Sequence, residues 1–168
     1  MSKDVDSYRF VDFITRKVIQ SWISLEDPGE IPWTPLEKPL SESRVAVISS
    51  AGVALLTDRP FDQEGERKDP WWGDPGFRVI PADATEADVE IYHLHIDPSF
   101  GRKDLNCVLP LKRLATLAEG GEIGNVSPRH YSFMGYVLDA SKLLQESVPA
   151  MVQGLQEDQV DLALLVPI

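Results

Sequence analysis

The spacing of apolar residues changes along the chain, and each change predicts an element. Val11, Ile14, Val18 and Trp22 recur at steps of three and four, with Tyr8 and Ile19 widening the stripe, which predicts an amphipathic helix over residues 7–25. From Asp27 to Pro39 the sequence is proline-rich, and prolines fix an extended path while removing helix donors. This is a connector with Trp33 as its anchor; without flanking basic residues it does not read as a proline-rich ligand. RVAVISS at 44–50 is a β-branched core strand bounded by Gly52, and Phe77 to Ile80 is a short strand ended by Pro81. Between them, residues 57–76 form a long polar loop that carries Trp71-Trp72. VEIYHLHI at 89–96 reads as a strand with Val89, Ile91, His93 and His95 on one face. Pro110 opens a helix whose Leu111, Leu114 and Leu117 share a side, and Gly120-Gly121 closes it. Residues 141–156 are mostly helical around Leu144, Val148, Met151, Val152 and Leu155, with a kink or restart at Pro149, and residues 161–166 form a last strand. Strands alternating with helices predict an α/β fold: three layers, a mostly parallel sheet with flanking helices, Rossmann-like. The division is an N-terminal helix and connector over 1–40 and an α/β domain over 41–168, with no internal repeat.

Length and charge narrow the classes of function. The 168 residues, 18.7 kDa, suffice for one sizeable core. Sixteen Lys and Arg against 27 Asp and Glu give a net charge of -11, which disfavours nucleic acid and anionic membrane surfaces as partners. No run reaches the roughly 18 apolar residues of a membrane span. The charged start MSKDVDSYRF lacks a signal peptide's apolar core, so the expected location is cytoplasmic. Cys107 alone excludes an internal disulfide and a multi-cysteine zinc site. The C-terminal run VDLALLVPI resembles the middle of a buried strand and raises the expectation that polypeptide follows it.

The candidate chemistry is sparse. His93, His95 and His130 are the only histidines, and a His-x-His pair with a third histidine is one way to hold zinc or iron. The plainer reading, two hydrogen-bonded, metal-free histidines near a strand's carboxyl end, is preferred, and no metal is assigned. That location still suits a ligand site, because open α/β sheets bind ligands outside the carboxyl ends of their strands. Asp104 and Asn106 precede a helix and fit its capping, and Cys107 beside Val108 and Leu109 reads as a small buried hydrophobe. Arg129-His130-Tyr131-Ser132 ahead of a helix would suit a carboxylate or phosphate at that helix's start. The alternative is a buried turn in which Gly135 supplies backbone freedom. No G-x-S-x-G elbow, G-x-G-x-x-G, Walker loop or H-E-x-x-H is present.

Several segments together resemble one family. They are PWTPLEKPLSESRVAVISSAGVAL, RPFD at 59–62, GDPGFRVIPAD at 73–83, HLHID at 93–97, DLNCVLPLKRL at 104–114, GEIGNVSPRHYSFMGY at 121–136 and the terminal VDLALLVPI. In order and spacing they resemble the selenoprotein B subunits of glycine, sarcosine, betaine and D-proline reductases over residues 30–168. The resemblance implies an oxidoreductase that reductively cleaves a carbon–nitrogen bond at the α-carbon of a small amino-acid-like substrate. It further implies a pyruvoyl-type carbonyl on a partner subunit that captures the amine, a selenolate or thiolate that attacks the α-carbon, and a cysteine that resolves the adduct. Other reductase subunits, or further copies of the chain, are the implied partners.

In that family the nucleophile opens a Cys- or Sec-x-x-Cys motif directly after a strand like Leu164 to Ile168. This sequence stops at Ile168, so no catalytic nucleophile is assigned within it, and Cys107 does not match the position. Selenocysteine is encoded by UGA, ordinarily a stop. The expectation is therefore a longer selenoprotein with selenocysteine after Ile168, inactive in the form that ends there. Asn106, His130 and Ser132 are the substrate-site candidates, with His93 and His95 behind them. Two other readings stand beside this one: a complete non-catalytic binding or regulatory subunit of the same fold, and a metal enzyme using the three histidines.

Overall fold

A computed structural model describes residues 11–25, 29–30, 34–69 and 72–168. Tyr8, Trp33 and Trp71, assigned above to a helix stripe, an anchor and a loop, lie outside the described residues. In chain order the elements are α1 (Phe13–Ile23), β1 (Arg44–Ser49), β2 (Val53–Leu55), α2 (Gln63–Lys68), β3 (Phe77–Pro81), β4 (Val89–Ile91), α3 (Ser99–Lys103), α4 (Leu111–Glu119), β5 (Asn125–Val126), β6 (Arg129–Phe133), α5 (Val148–Glu157) and β7 (Leu162–Val166). The chain divides into two units, residues 1–35 and 36–168.

In the first unit, α1 begins where Asp12 caps it, its carboxylate accepting from the N–H groups of Ile14 and Thr15. The apolar stripe forms as its spacing predicts, but Phe13, Ile14, Val18 and Trp22 are exposed. Periodicity reports which residues share a face. It does not report what covers that face.

In the second unit, β1 is the central strand of a mixed sheet. It runs parallel to β7 over five residue pairs on one side, and parallel to β5 and then β6 on the other. β3 closes that side antiparallel to β6. A separate two-stranded antiparallel ribbon joins β2 to β4. Helices flank both faces. Val45 and Val47 pack in one core with Leu111 and Leu114 of α4. The opposite face holds Tyr131, paired with Ile48, and its hydroxyl is pressed against Gly154 of α5. The expected α/β sheet with flanking helices is therefore present, with β3 as its antiparallel edge.

The sequence reading differs from the structure in four places. The 89–96 strand ends at Ile91, and residues 92–95 leave the ribbon as a turn, so His93 and His95 do not share a strand face. Alternation of apolar residues continues past Ile91, but β2 begins at its partner Val53, and beyond that pair the Tyr92 N–H meets only the Gly52 carbonyl before the chains part. Residues 129–133 form a strand within the sheet, not a turn ahead of a helix, which removes the proposed helix N-terminus as an anion site. The 57–76 loop contains α2, started by Asp62 accepting from the Gly65 N–H. Cys107 is exposed, not buried, on a short 3-10 turn. At Pro149 the helix restarts: a π-helical turn over Leu143–Ser147 precedes α5, with the proline in its first turn.

Candidate functional site

The junction between β5 and β6 explains two of the candidate residues. Ser127 donates its N–H to the Val45 carbonyl, and Pro128 then interrupts the strand. The Val47 N–H, which would meet a strand carbonyl at that point, instead donates to His130 Nδ1 at 2.9 Å. Farther along, the Val53 N–H donates to Ser132 Oγ at 2.8 Å. Both side chains have no exposed surface. His130 replaces a missing backbone acceptor inside the sheet, and Ser132 supplies one to the first residue of the β2 ribbon; a buried N–H left unpaired at either place is costly. His130 is held neutral by this enclosure. Burial pushes its pKa down to about 4, against the pull of the Asp158 carboxylate and the Ser127 carbonyl. With Nδ1 accepting, the ring's proton sits on Nε2.

Asn106 sits elsewhere. Its side chain accepts from the Arg113 N–H at 3.1 Å, and its amide donates to Asp104 at 2.8 Å. It lines a cleft with Ala82–Glu86, the turn that follows β3. β3 ends level with the start of β6, so this cleft belongs to the amino edge of the parallel strands. Asn106 therefore caps α4, and the structure does not bring it together with the histidines.

The carboxyl edge is different. Ser49 to Gly52, Phe133 to Gly135, and Val166 to Ile168 converge there. The Ser50 N–H donates to Val166 O at 3.1 Å, and the Ile168 N–H donates to Ser50 Oγ at 2.8 Å. The Gly52 N–H donates to Phe133 O at 2.9 Å. Gly52 has φ of 63°, a conformation that glycine adopts without strain. Gly135 is required for space, not for conformation. A Cβ there would lie 2.9 Å from both Ile168 O and Ser50 O and 3.0 Å from His93 Nε2. Beside these residues Ile48, Phe133 and Leu165 line an apolar cleft of about 390 Å³ on the α5 face.

His93 and His95 stand over this edge. His93 is buried, and its Nδ1 accepts the His95 N–H at 3.1 Å, which leaves the ring proton on Nε2, facing Gly135. Burial, and then the neighbouring His95, lower its pKa. His95 is half-exposed; its ring meets that of Tyr136 at 4.1 Å between centroids, and its Nε2 lies 2.9 Å from Glu66 Oε1. Glu66 is the residue that sequence reasoning missed. It lies in what reads as a polar loop, and only its spacing from Gln63, one helical turn earlier, hints at a shared face. Gln63 donates to the Tyr92 carbonyl at 2.6 Å, which fixes α2 against the histidine segment.

A separate cleft of about 650 Å³ lies between Arg59, Asp74 and Arg78. Arg78 donates to the Arg59 and Pro60 carbonyls and stacks 4.1 Å over the Phe61 ring, so its guanidinium braces the loop. Among the described residues, no three His, Cys, Asp or Glu side chains are grouped to hold a metal. His130 lies inside the sheet, its Nδ1 already occupied by Val47, and does not complete a ligand set with His93 and His95.

Comparison with known proteins adds one relationship. Over 154 residues, 92% of this chain, the sequence is 34% identical to the D-proline reductase subunit gamma of Acetoanaerobium sticklandii. The chain is similar to a reductase subunit. It spans 60% of that curated relative's length. No known family profile matches the chain, and no solved structure does. Among the described residues, no helix is long and apolar enough to cross a membrane.

Proposed function

We propose that this chain is a component of a reductase complex that cleaves the carbon–nitrogen bond of a small amino-acid-like substrate, D-proline being the first to test. The observation that carries this reading is the 34% identity to the D-proline reductase subunit over nearly the whole chain. The selenoprotein B resemblance adds the finer proposal, a selenolate or thiolate on the residue after Ile168. The geometry supports it: β7 delivers Ile168 to the carboxyl edge beside Ser50, Gly135 and the His93 Nε2. Ile168 itself lines the apolar cleft, so a nucleophile on the next residue would stand next to a surface where burial of a substrate's hydrocarbon part favours binding. The amine-capturing carbonyl, of pyruvoyl type, belongs on another subunit in this proposal, and no residue of this chain is asked to hold it.

Reading the gene downstream of Ile168 is the first test. A UGA codon followed by an open frame with a cysteine three positions on supports the nucleophile; UAA or UAG overturns it. The second test is to assemble the full reading frame with its companion subunits and supply D-proline and a dithiol. Substrate-dependent thiol oxidation that is lost after alkylation is expected. No turnover of D-proline or of glycine, sarcosine or betaine would overturn the reading.

A further inference from the structure

Glu66 presents an unusual combination for a surface loop. Its side chain is 2% exposed, neither carboxylate oxygen has a well-formed hydrogen bond, and the polar group next to it is His95 Nε2, 2.9 Å from Oε1. A buried carboxylate with so little support is expensive to keep charged, and burial does raise its pKa, with His95 and then Arg67 opposing. The group facing it is an imidazole whose other side is half-open to solvent. That ring leans on Tyr136, the residue after Gly135. The ring therefore lies at the edge that Gly135 shares with the His93 Nε2–H, 5.9 Å from the His93 ring between centroids. The groups that face the pair are Arg67 from α2, His93 from the segment of His95 and Tyr136 from the chain after β6.

We propose that Glu66 and His95 form a carboxylate–imidazole dyad that delivers a proton at the carboxyl edge of the sheet. The proposal rests on the reductase reading above and names what that reading leaves open: the source of the proton for the departing nitrogen. As the thiolate or selenolate lone pair forms a bond to the α-carbon, the carbon–nitrogen pair leaves on nitrogen, which takes a proton from His95 Nδ1. His95 is left neutral, its remaining proton on Nε2 towards Glu66, and regains the other from solvent. His95 is the proton donor. Glu66 is a positioning residue that fixes which nitrogen keeps its proton, a task for which an acceptor 2.9 Å away is placed.

Two measurements separate the dyad from the reductase reading. In nitrogen-15 spectra of the isolated chain at high pH, neutral His95 is expected as the Nε2–H tautomer, shifting towards a mixture in E66Q. An Nδ1–H tautomer, or no change in E66Q, would overturn the dyad. In the assembled complex, H95Q is expected to lower kcat by on the order of 100-fold with little change in KM. E66Q should do the same more weakly, and E66D should recover part of the loss. Unchanged kcat in H95Q would overturn the proton-donor role while leaving the reductase reading intact. A wild-type complex without turnover overturns the reductase reading, and the catalytic role with it, whatever the tautomer shows. Circular dichroism of each variant separates lost function from lost fold.

Discussion

His130 and His95 are the same side chain put to opposite uses. His130 is sealed in the sheet, where Nδ1 stands in for a strand carbonyl and the ring stays neutral. His95 stands half-open at the edge, with one nitrogen on a buried carboxylate and the ring against an aromatic neighbour. In the first, low polarity suppresses protonation; in the second, an acceptor is provided beside a route to solvent. Residue type sets what an imidazole can do, and the backbone around it decides which use is taken.

The contrast is broken most directly by removing the sealed ring. H130A leaves the Val47 N–H without an acceptor and a cavity beside it, and is expected to cost about 3–4 kcal/mol in urea denaturation. A cost below about 1 kcal/mol would mean that the ring is not holding the sheet together.

The pH dependence of stability follows from the same residue. His130 stays neutral in the folded chain down to about pH 4, whereas the unfolded chain takes up its proton near 6.5. The unfolded state therefore binds more protons between these values. The contribution is fully present above pH 6.5 and is lost as pH falls through that window, for a total of about 3 kcal/mol. Urea titrations at pH 7, 5.5 and 4.5 should show this fall, and the same series on H130N should show a shallower one.

At the carboxyl edge, G135A places a methyl against two backbone carbonyls and His93 Nε2. A loss of about 1–3 kcal/mol is expected, together with changed chemical shifts at His93 and Ile168. An unperturbed His93 would remove Gly135 from the site. The smallest effect belongs to N106A at the amino edge. It should cost about 1 kcal/mol through the lost cap of α4 and leave the His93 and His95 spectra unchanged. A change there would join the two edges that the structure separates.

Much of the fold was legible because its signals are local. The β-branched run of β1, the proline and double glycine bounding α4, and the apolar C-terminal strand each carry their own evidence in consecutive residues. The site was legible only in part. His93 and His95 stood out as rare residue types, yet alternation carried their strand five residues too far, because the length of the partner β2 cannot be read from VEIYHLHI. Ser132 and His130 drew attention for their polarity, and the structure places both inside the sheet. Glu66 gave almost no signal, since a glutamate in a charged segment is ordinarily solvated.

The sequence by itself determined the α/β class, the order of the main elements and the relationship to a reductase subunit, since these follow from periodicity, turn chemistry and identity along the chain. Only the tertiary structure decided which polar residues face one another. The break at Pro128 calls His130 into the sheet, the short β2 releases the histidine turn, and α2 brings Glu66 to His95. These are long-range pairings, set by where strands end and helices dock, and no spacing along the chain records them.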